Sequence, residues 1–266
     1  MRFLMVCLVA VAMGASPAIA CGVETDCMLG DRIYRISMPE DGAATGAIVY
    51  MHGYRGSARG AMRNQALLDL AHRHGLALVA AKSAGDDWRI RGVPEDPSFS
   101  GDEEFTYFDA LIDALEARHG IDRTNLIATG FSAGGMMVWN LACQRGGSFK
   151  AFVPIAGTFW APMPETCPDY PVDMVHIHGT TDKIVPLAGR PIAETHQGDV
   201  LIAIDRLVAA GGYEAEVTET SSGDLFCKIG ANADRRILAF CTHPGGHSFK
   251  TEYVNTALEI LNGAPR

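Results

Sequence analysis

Ser132, Asp182 and His247 are the residues whose types, order and surroundings best fit covalent chemistry. A serine hydroxyl is a weak nucleophile near neutral pH. It needs an imidazole to take its proton and a carboxylate to orient that imidazole and stabilise its charged form. Each of the three follows an apolar run and lies close to glycine. Ser132 sits in Gly130-Phe131-Ser132-Ala133-Gly134-Gly135, Asp182 closes His178-Gly179-Thr180-Thr181-Asp182, and His247 ends Gly245-Gly246-His247. Glycines on both sides of Ser132 suit a strained strand-to-helix turn that lifts the hydroxyl clear of both elements. The order Ser, Asp, His is one of several in which such a triad recurs, and it points to acyl transfer.

Acyl transfer also needs donors for a developing oxyanion. His52-Gly53-Tyr54 follows an early apolar run, so an N–H of Gly53 or Tyr54 is expected to converge with that of Ala133, the imidazole of His52 taking no direct part. The rival residues have plainer readings. Asp173 opens a strand, Asp199 stands at a helix start, and Asp169 lies in a proline-rich loop. His72, His74 and His119 fall near helix ends, while His176 and His178 read as packed or supporting groups of a strand. His243 is the main competitor to His247 but lacks its preceding pair of glycines.

The elements that must position these groups follow from periodicity. Strands are expected over Arg32–Met38, Gly46–His52, Leu76–Lys82, the run before Ser132, Lys150–Ile155, Val172–His178, Tyr213–Thr218, Phe226–Ile229 and Arg236–Cys241. Helices are expected over Ala58–His74, Asp102–His119, the stretch after Ser132, Val200–Ala210 and Phe249–Leu261. Strand alternating with helix implies an α/β fold with a mostly parallel central sheet and helices on both faces. In such sheets ligands gather at the carboxyl ends of the strands, where the candidate residues fall.

Residues 1–20 carry Arg2, an apolar run from Phe3 to Met13 and Ala18-Ile19-Ala20 before Cys21, the pattern of a secretory signal peptide. Cys21 at that point also fits a lipidated cysteine, but Ala18 replaces the usual bulky aliphatic residue, favouring simple cleavage. No stable membrane span is expected, and residues 21–266 are expected to form one catalytic domain outside the cytoplasm, periplasmic or extracellular. Without Arg2 the net charge moves from −9 to about −10, which argues against nucleic acid as a partner. Loss of Cys7 leaves six cysteines, and spacing pairs them as Cys21 with Cys27, Cys143 with Cys167 and Cys227 with Cys241. With no close Cys-x-x-Cys pair or Cys/His cluster no metal is expected, and acyl transfer through a serine needs no organic cofactor.

Taken together, Gly130-Phe131-Ser132-Ala133-Gly134-Gly135, His52-Gly53, His178-Gly179-Thr180-Thr181-Asp182 and Gly245-Gly246-His247-Ser248-Phe249 resemble the secreted polyhydroxybutyrate depolymerase and feruloyl esterase family of α/β-hydrolases. The resemblance spans most of the chain after residue 20. It implies a secreted serine esterase with Ser132 as nucleophile, Asp182 as acid and His247 as base, and disulfides near the elbow helix and the late histidine loop. Phe249 departs from the family pattern, standing where many relatives have tryptophan, so a changed pocket rim is expected.

The first expectation for substrate is a hydroxyalkanoate polyester or its oligomers. Because the chain ends soon after its closing helix, with no appended polymer-binding module, soluble esters or oligomers are favoured over crystalline polymer. A feruloyl or acetylxylan esterase is the alternative, and a serine peptidase or inactive binding protein represents other classes. Tyr54, Trp88 and Trp160 are expected to line the substrate site, and Ala84–Gly101 to form either a polar rim or lid or a solvated insertion. The protein is expected to act as a monomer on its ester substrate.

Overall fold

The computed structural model describes residues 21–213 and 218–263. The expected signal peptide therefore lies outside the described residues, as does most of the expected strand Tyr213–Thr218. In chain order the elements are β1 (Cys27–Leu29), β2 (Arg32–Ser37), β3 (Ala47–Met51), α1 (Ala58–Met62), α2 (Gln65–Arg73), β4 (Ala77–Ala81), α3 (Asp102–His119), β5 (Leu126–Phe131), α4 (Ala133–Gln144) and β6 (Ala151–Ile155). They continue with β7 (Met174–Gly179), β8 (Pro191–Ile192), β9 (Thr195–His196), α5 (Val200–Gly211), β10 (Thr218–Ser222), β11 (Leu225–Ala231), β12 (Ile237–His243) and α6 (Thr251–Gly263).

Ten strands form one sheet in the order β1-β2-β4-β3-β5-β6-β7-β12-β11-β10, and β8 and β9 make a separate hairpin. The central strands β4, β3, β5, β6, β7 and β12 run parallel, and the flanking pairs at both edges run antiparallel. Burial on both faces explains why the central strands are apolar runs such as Ala47-Ile48-Val49-Tyr50-Met51. Alternation divides each run between two cores. Ala77, Val79 and Ala81 of β4 pack on the side of α3, α4 and α5, whereas Leu78 and Ala80 pack on the side of α1, α2 and α6. The outermost strand β10 is exposed throughout and reads Thr-Glu-Thr-Ser-Ser, a polar edge that discourages further strand addition.

Two departures from the expected elements have local causes. The helix expected over residues 58–74 is broken, because the Asn64 side chain accepts from Leu67 N–H and caps α2 as a new start. The strand β1 was not expected; its three residues pair with β2, and Cys27 is tied to Cys21. The other disulfides join Cys143 of α4 to Cys167 and Cys227 of β11 to its directly opposed neighbour Cys241 of β12. Among the described residues no helix is long and apolar enough to cross a membrane.

Candidate active site

Ser132 joins β5 to α4 with φ +59°, a left-handed conformation rare for a residue with a side chain. Its surroundings hold it there. Ser132 N–H donates to the Ile155 carbonyl at 2.9 Å. A Cβ on Gly134 would stand 2.0 Å from the Met51 carbonyl oxygen and one on Gly130 2.5 Å from that of Gly134, so only glycine lets β3, β5 and α4 close on the turn.

The loops after β7 and β12 meet this turn as a pair. Thr180 N–H donates to the His243 carbonyl and Thr181 N–H to that of Gly245, which binds the two loops together. His247 Nε2 then lies 2.8 Å from Ser132 Oγ, and His247 Nδ1 lies 2.7 Å from Asp182 Oδ2. Burial alone would raise the Asp182 carboxyl. Hydrogen bonds from His247 and from the Val185 and Ile184 amides outweigh it and hold the group below its ordinary value. The arrangement can pass the serine proton to His247 and stabilise the imidazolium with an ionised Asp182.

Behind the acid lies a column of neutral imidazoles whose proton positions follow from their partners. Trp139 Nε1–H can only donate, so His176 Nδ1 accepts it at 3.2 Å. His176 Nε2–H then donates to His178 Nδ1 at 3.0 Å, and His178 Nε2–H to the Val185 carbonyl at 2.7 Å. Asp182 Oδ2, 3.6 Å from His178 Nε2, is too distant to take that proton. Burial lowers the pKa of both histidines, His176 well below the usual range, so the column is uncharged. It fixes Val185, whose own N–H holds Asp182 Oδ1.

The loop after β3 is set by a similar argument. His52 Nε2 accepts from Ser83 N–H at 3.3 Å, so Nδ1 carries the proton and donates to the Gly53 carbonyl at 2.8 Å. Burial lowers His52 to about 4, keeping it neutral. Gly56 N–H also donates to the Gly53 carbonyl. The peptide plane between Gly53 and Tyr54 is thereby fixed, with Tyr54 N–H directed opposite to that carbonyl. Among the described residues, neither Tyr54 N–H nor Ala133 N–H donates to another protein group.

Ser132 and Ala133 open into a cavity of about 680 Å³, within the usual range for small-molecule sites. Tyr54 and Trp160 line it, Tyr54 being 57% exposed and Trp160 buried. Trp88 does not. It is fully buried, with Nε1 donating to the His52 carbonyl at 2.9 Å and its ring between His52 and Phe108. Its role is to anchor the 84–101 loop, which corrects the expectation that it meets substrate. Phe249 packs on Tyr50 and Phe131 and is likewise absent from the cavity lining.

Several lining residues escaped the sequence reading. Ile184, Val185, Arg190, Ile192 and Gln197 come from the segment that carries the β8–β9 hairpin, and Met136 from α4. Apolar residues recurring within a loop that holds two prolines and two glycines are the available signal. Asp86, Asp87 and Glu95 line the same cavity. The rival residues have structural partners: Asp173 accepts from Ile237 N–H and pairs with Arg236, Asp199 caps α5, and Asp169 accepts from Gly146 N–H. His243 is buried and stacked on Tyr253.

By its sheet, its crossovers and its covering helices, the chain has the α/β-hydrolase fold. The acetyl xylan esterase from Aspergillus awamori shares it with a TM-score of 0.62 and 13% identity, over 87% of this chain and 94% of that one. The Bacillus cereus carboxylesterase does so with a TM-score of 0.59 and 15% identity, over 89% and 96%. In sequence, residues 93–204 match the Abhydrolase_2 family, described as phospholipase/carboxylesterase. The chain is 27% identical to the putative esterase NocK of Nocardia uniformis subsp. tsuyamanensis, over 75% of this chain and 64% of that protein. It is 29% identical to a probable feruloyl esterase C of Aspergillus terreus, over 56% of this chain and 51% of that one. The chain thus spans between half and two thirds of the length of these curated relatives.

Proposed function

We propose that this protein is an exported serine esterase that cleaves carboxylic esters of the feruloyl or acetylxylan kind through an acyl-enzyme. The observation that carries this reading is the unbroken contact from Asp182 through His247 to Ser132 Oγ at the mouth of the cavity. Ser132 attacks the ester carbonyl while His247 takes its proton. Tyr54 N–H and Ala133 N–H hold the oxyanion, and Asp182 stabilises the imidazolium. The alcohol leaves with the proton from His247, and water repeats the sequence on the acyl group.

The relatives bearing feruloyl esterase names, and the fold shared with an acetyl xylan esterase, favour this substrate class over a hydroxyalkanoate polyester. Three disulfides support export after removal of residues 1–20. Residues 21–266 act as one catalytic domain, and the protein works as a monomer. The test is turnover of methyl ferulate, an acetylated xylo-oligosaccharide, a hydroxybutyrate oligomer and a peptide amide by the oxidised protein. Ser132→Ala should stay folded and lose at least about a thousandfold in kcat on the preferred ester. A folded Ser132→Ala protein that keeps most of its activity would overturn the assignment, and a serine-dependent preference for hydroxybutyrate would move it to polyester.

A further inference from the structure

The cavity beside Ser132 has two unlike sets of lining residues. Ile184, Val185 and Ile192 are apolar, while Asp86, Asp87 and Glu95 of the β4–α3 connection are acidic. Among the acidic residues Asp87 is singular. It is only 9% exposed and forms no ion pair among the described residues. One of its oxygens accepts Trp88 N–H at 2.8 Å, and the other has no partner among the described residues.

No cation of the described residues pairs with Asp87. Arg55 pairs with Asp86, Arg89 grips Glu103, and Lys82 Nζ binds Ser83 and the Gly85 carbonyl. Arg190, which lines the same cavity, donates Nε–H to the Ile184 carbonyl. Two more buried groups that line the same cavity are unused: Trp160 Nε1 and Gln197 Oε1 have no hydrogen-bond partner among the described residues. Buried polar groups in folded proteins nearly always find partners. The walls around this serine therefore carry more hydrogen-bonding capacity than the chain itself uses.

A nearly buried carboxylate with a free oxygen is a strong acceptor for a hydroxyl group and a poor neighbour for another anion. We propose that Asp87 is a substrate-binding residue that accepts a hydrogen bond from a hydroxyl group on the ester. The cleft then prefers hydroxyl-bearing esters over counterparts that lack the hydroxyl. This inference rests on the esterase reading and narrows its substrate class. The hydroxyl belongs either to a phenolic acyl group or to a sugar alcohol, and both offer the same donor.

Two matched pairs separate these sources. Methyl 4-hydroxycinnamate is compared with methyl cinnamate, and a mono-O-acetyl xyloside with cyclohexyl acetate, using wild type, Ser132→Ala and Asp87→Asn. A hydrogen bond to a charged acceptor predicts a kcat/KM preference of about ten- to a hundredfold for the hydroxylated member of one pair. In Asp87→Asn that ratio should fall to within about threefold of one. The pair that shows the preference identifies the source of the hydroxyl. A wild-type ratio near one in both pairs, or a ratio that survives Asp87→Asn, would overturn the inference while leaving the esterase reading intact. Failure of wild type to turn over any of the four esters in a Ser132-dependent way would overturn the esterase reading and this inference with it.

Discussion

Asp87 makes a prediction about stability that does not depend on any substrate. Burial lifts its carboxyl from an ordinary value of 3.8 to about 6; the Trp88 N–H opposes the rise, and the negative charges of Glu95, Glu104 and Asp86 add to it. At 1.36 kcal/mol per pH unit, ionising this group in the folded protein costs about 3 kcal/mol more than in the unfolded chain. The sign follows from linkage. Between about pH 4 and pH 6 the unfolded chain gives up this proton while the folded protein keeps it, so folding weakens as pH rises. Above about pH 6 both states are ionised and the penalty is constant. Asp87→Asn keeps an oxygen for the Trp88 N–H and removes the charge. Urea denaturation of the oxidised proteins should show the variant more stable by about 3 kcal/mol near pH 8, with the gap closing to a small fraction near pH 4. That is a large share of the 5–15 kcal/mol typical of a folded domain. Equal stabilities at every pH would refute the claim that an uncompensated carboxylate is held in the cleft.

Further predictions test other parts of the site. His52→Ala removes the donor that orients the Gly53–Tyr54 peptide, and should lower kcat by about a hundredfold with little change in KM. His52→Asn, whose side-chain amide can replace Nδ1–H, should recover much of that loss; a matching fall in KM-controlled binding alone would contradict the assigned role. Replacing Cys143 and Cys167 together by serine opens a loop with a sequence separation of 24, and should cost about 3 kcal/mol in urea denaturation. His176→Phe strands the Trp139 N–H and leaves His178 without its donor, so a loss of about 1–3 kcal/mol is expected per unsatisfied group. Unchanged stability there would show that the column is dispensable.

The parts of the fold that were legible in the sequence are those governed by local pattern. The parallel core strands are continuous apolar runs, α3 opens with Asp102, Glu103 and Glu104 and closes at Gly120 in a left-handed conformation, and the glycines around Ser132 mark its turn. The groups that the structure brings together at the serine could also be read, because each is a polar residue placed where an apolar run ends. What could not be read depends on partners far along the chain. Trp88 looks like any aromatic residue in a polar loop until its indole meets the His52 carbonyl, 36 residues earlier. Asp87 is one of several acidic residues in its loop, and only the missing cation and the depth of its burial set it apart. The break between α1 and α2 was a local signal passed over, since Asn64 sits three residues before the amide it caps.

Trp88 fixes the base of the β4–α3 connection under the sheet end, while Asp86, Asp87 and Glu95 hang from the same connection over the cavity. Ser132, Asp182 and His247 all come from other loops. The acidic residues of the cavity and the reacting groups are therefore carried on separate stretches of chain, with Trp88 tying the former to the loop after β3. A lineage with this layout can lengthen, shorten or recharge one surface loop and take up a new ester while its reacting groups stay undisturbed. In the laboratory the same loop, cut on either side of the Trp88 anchor, is the natural segment to exchange between relatives.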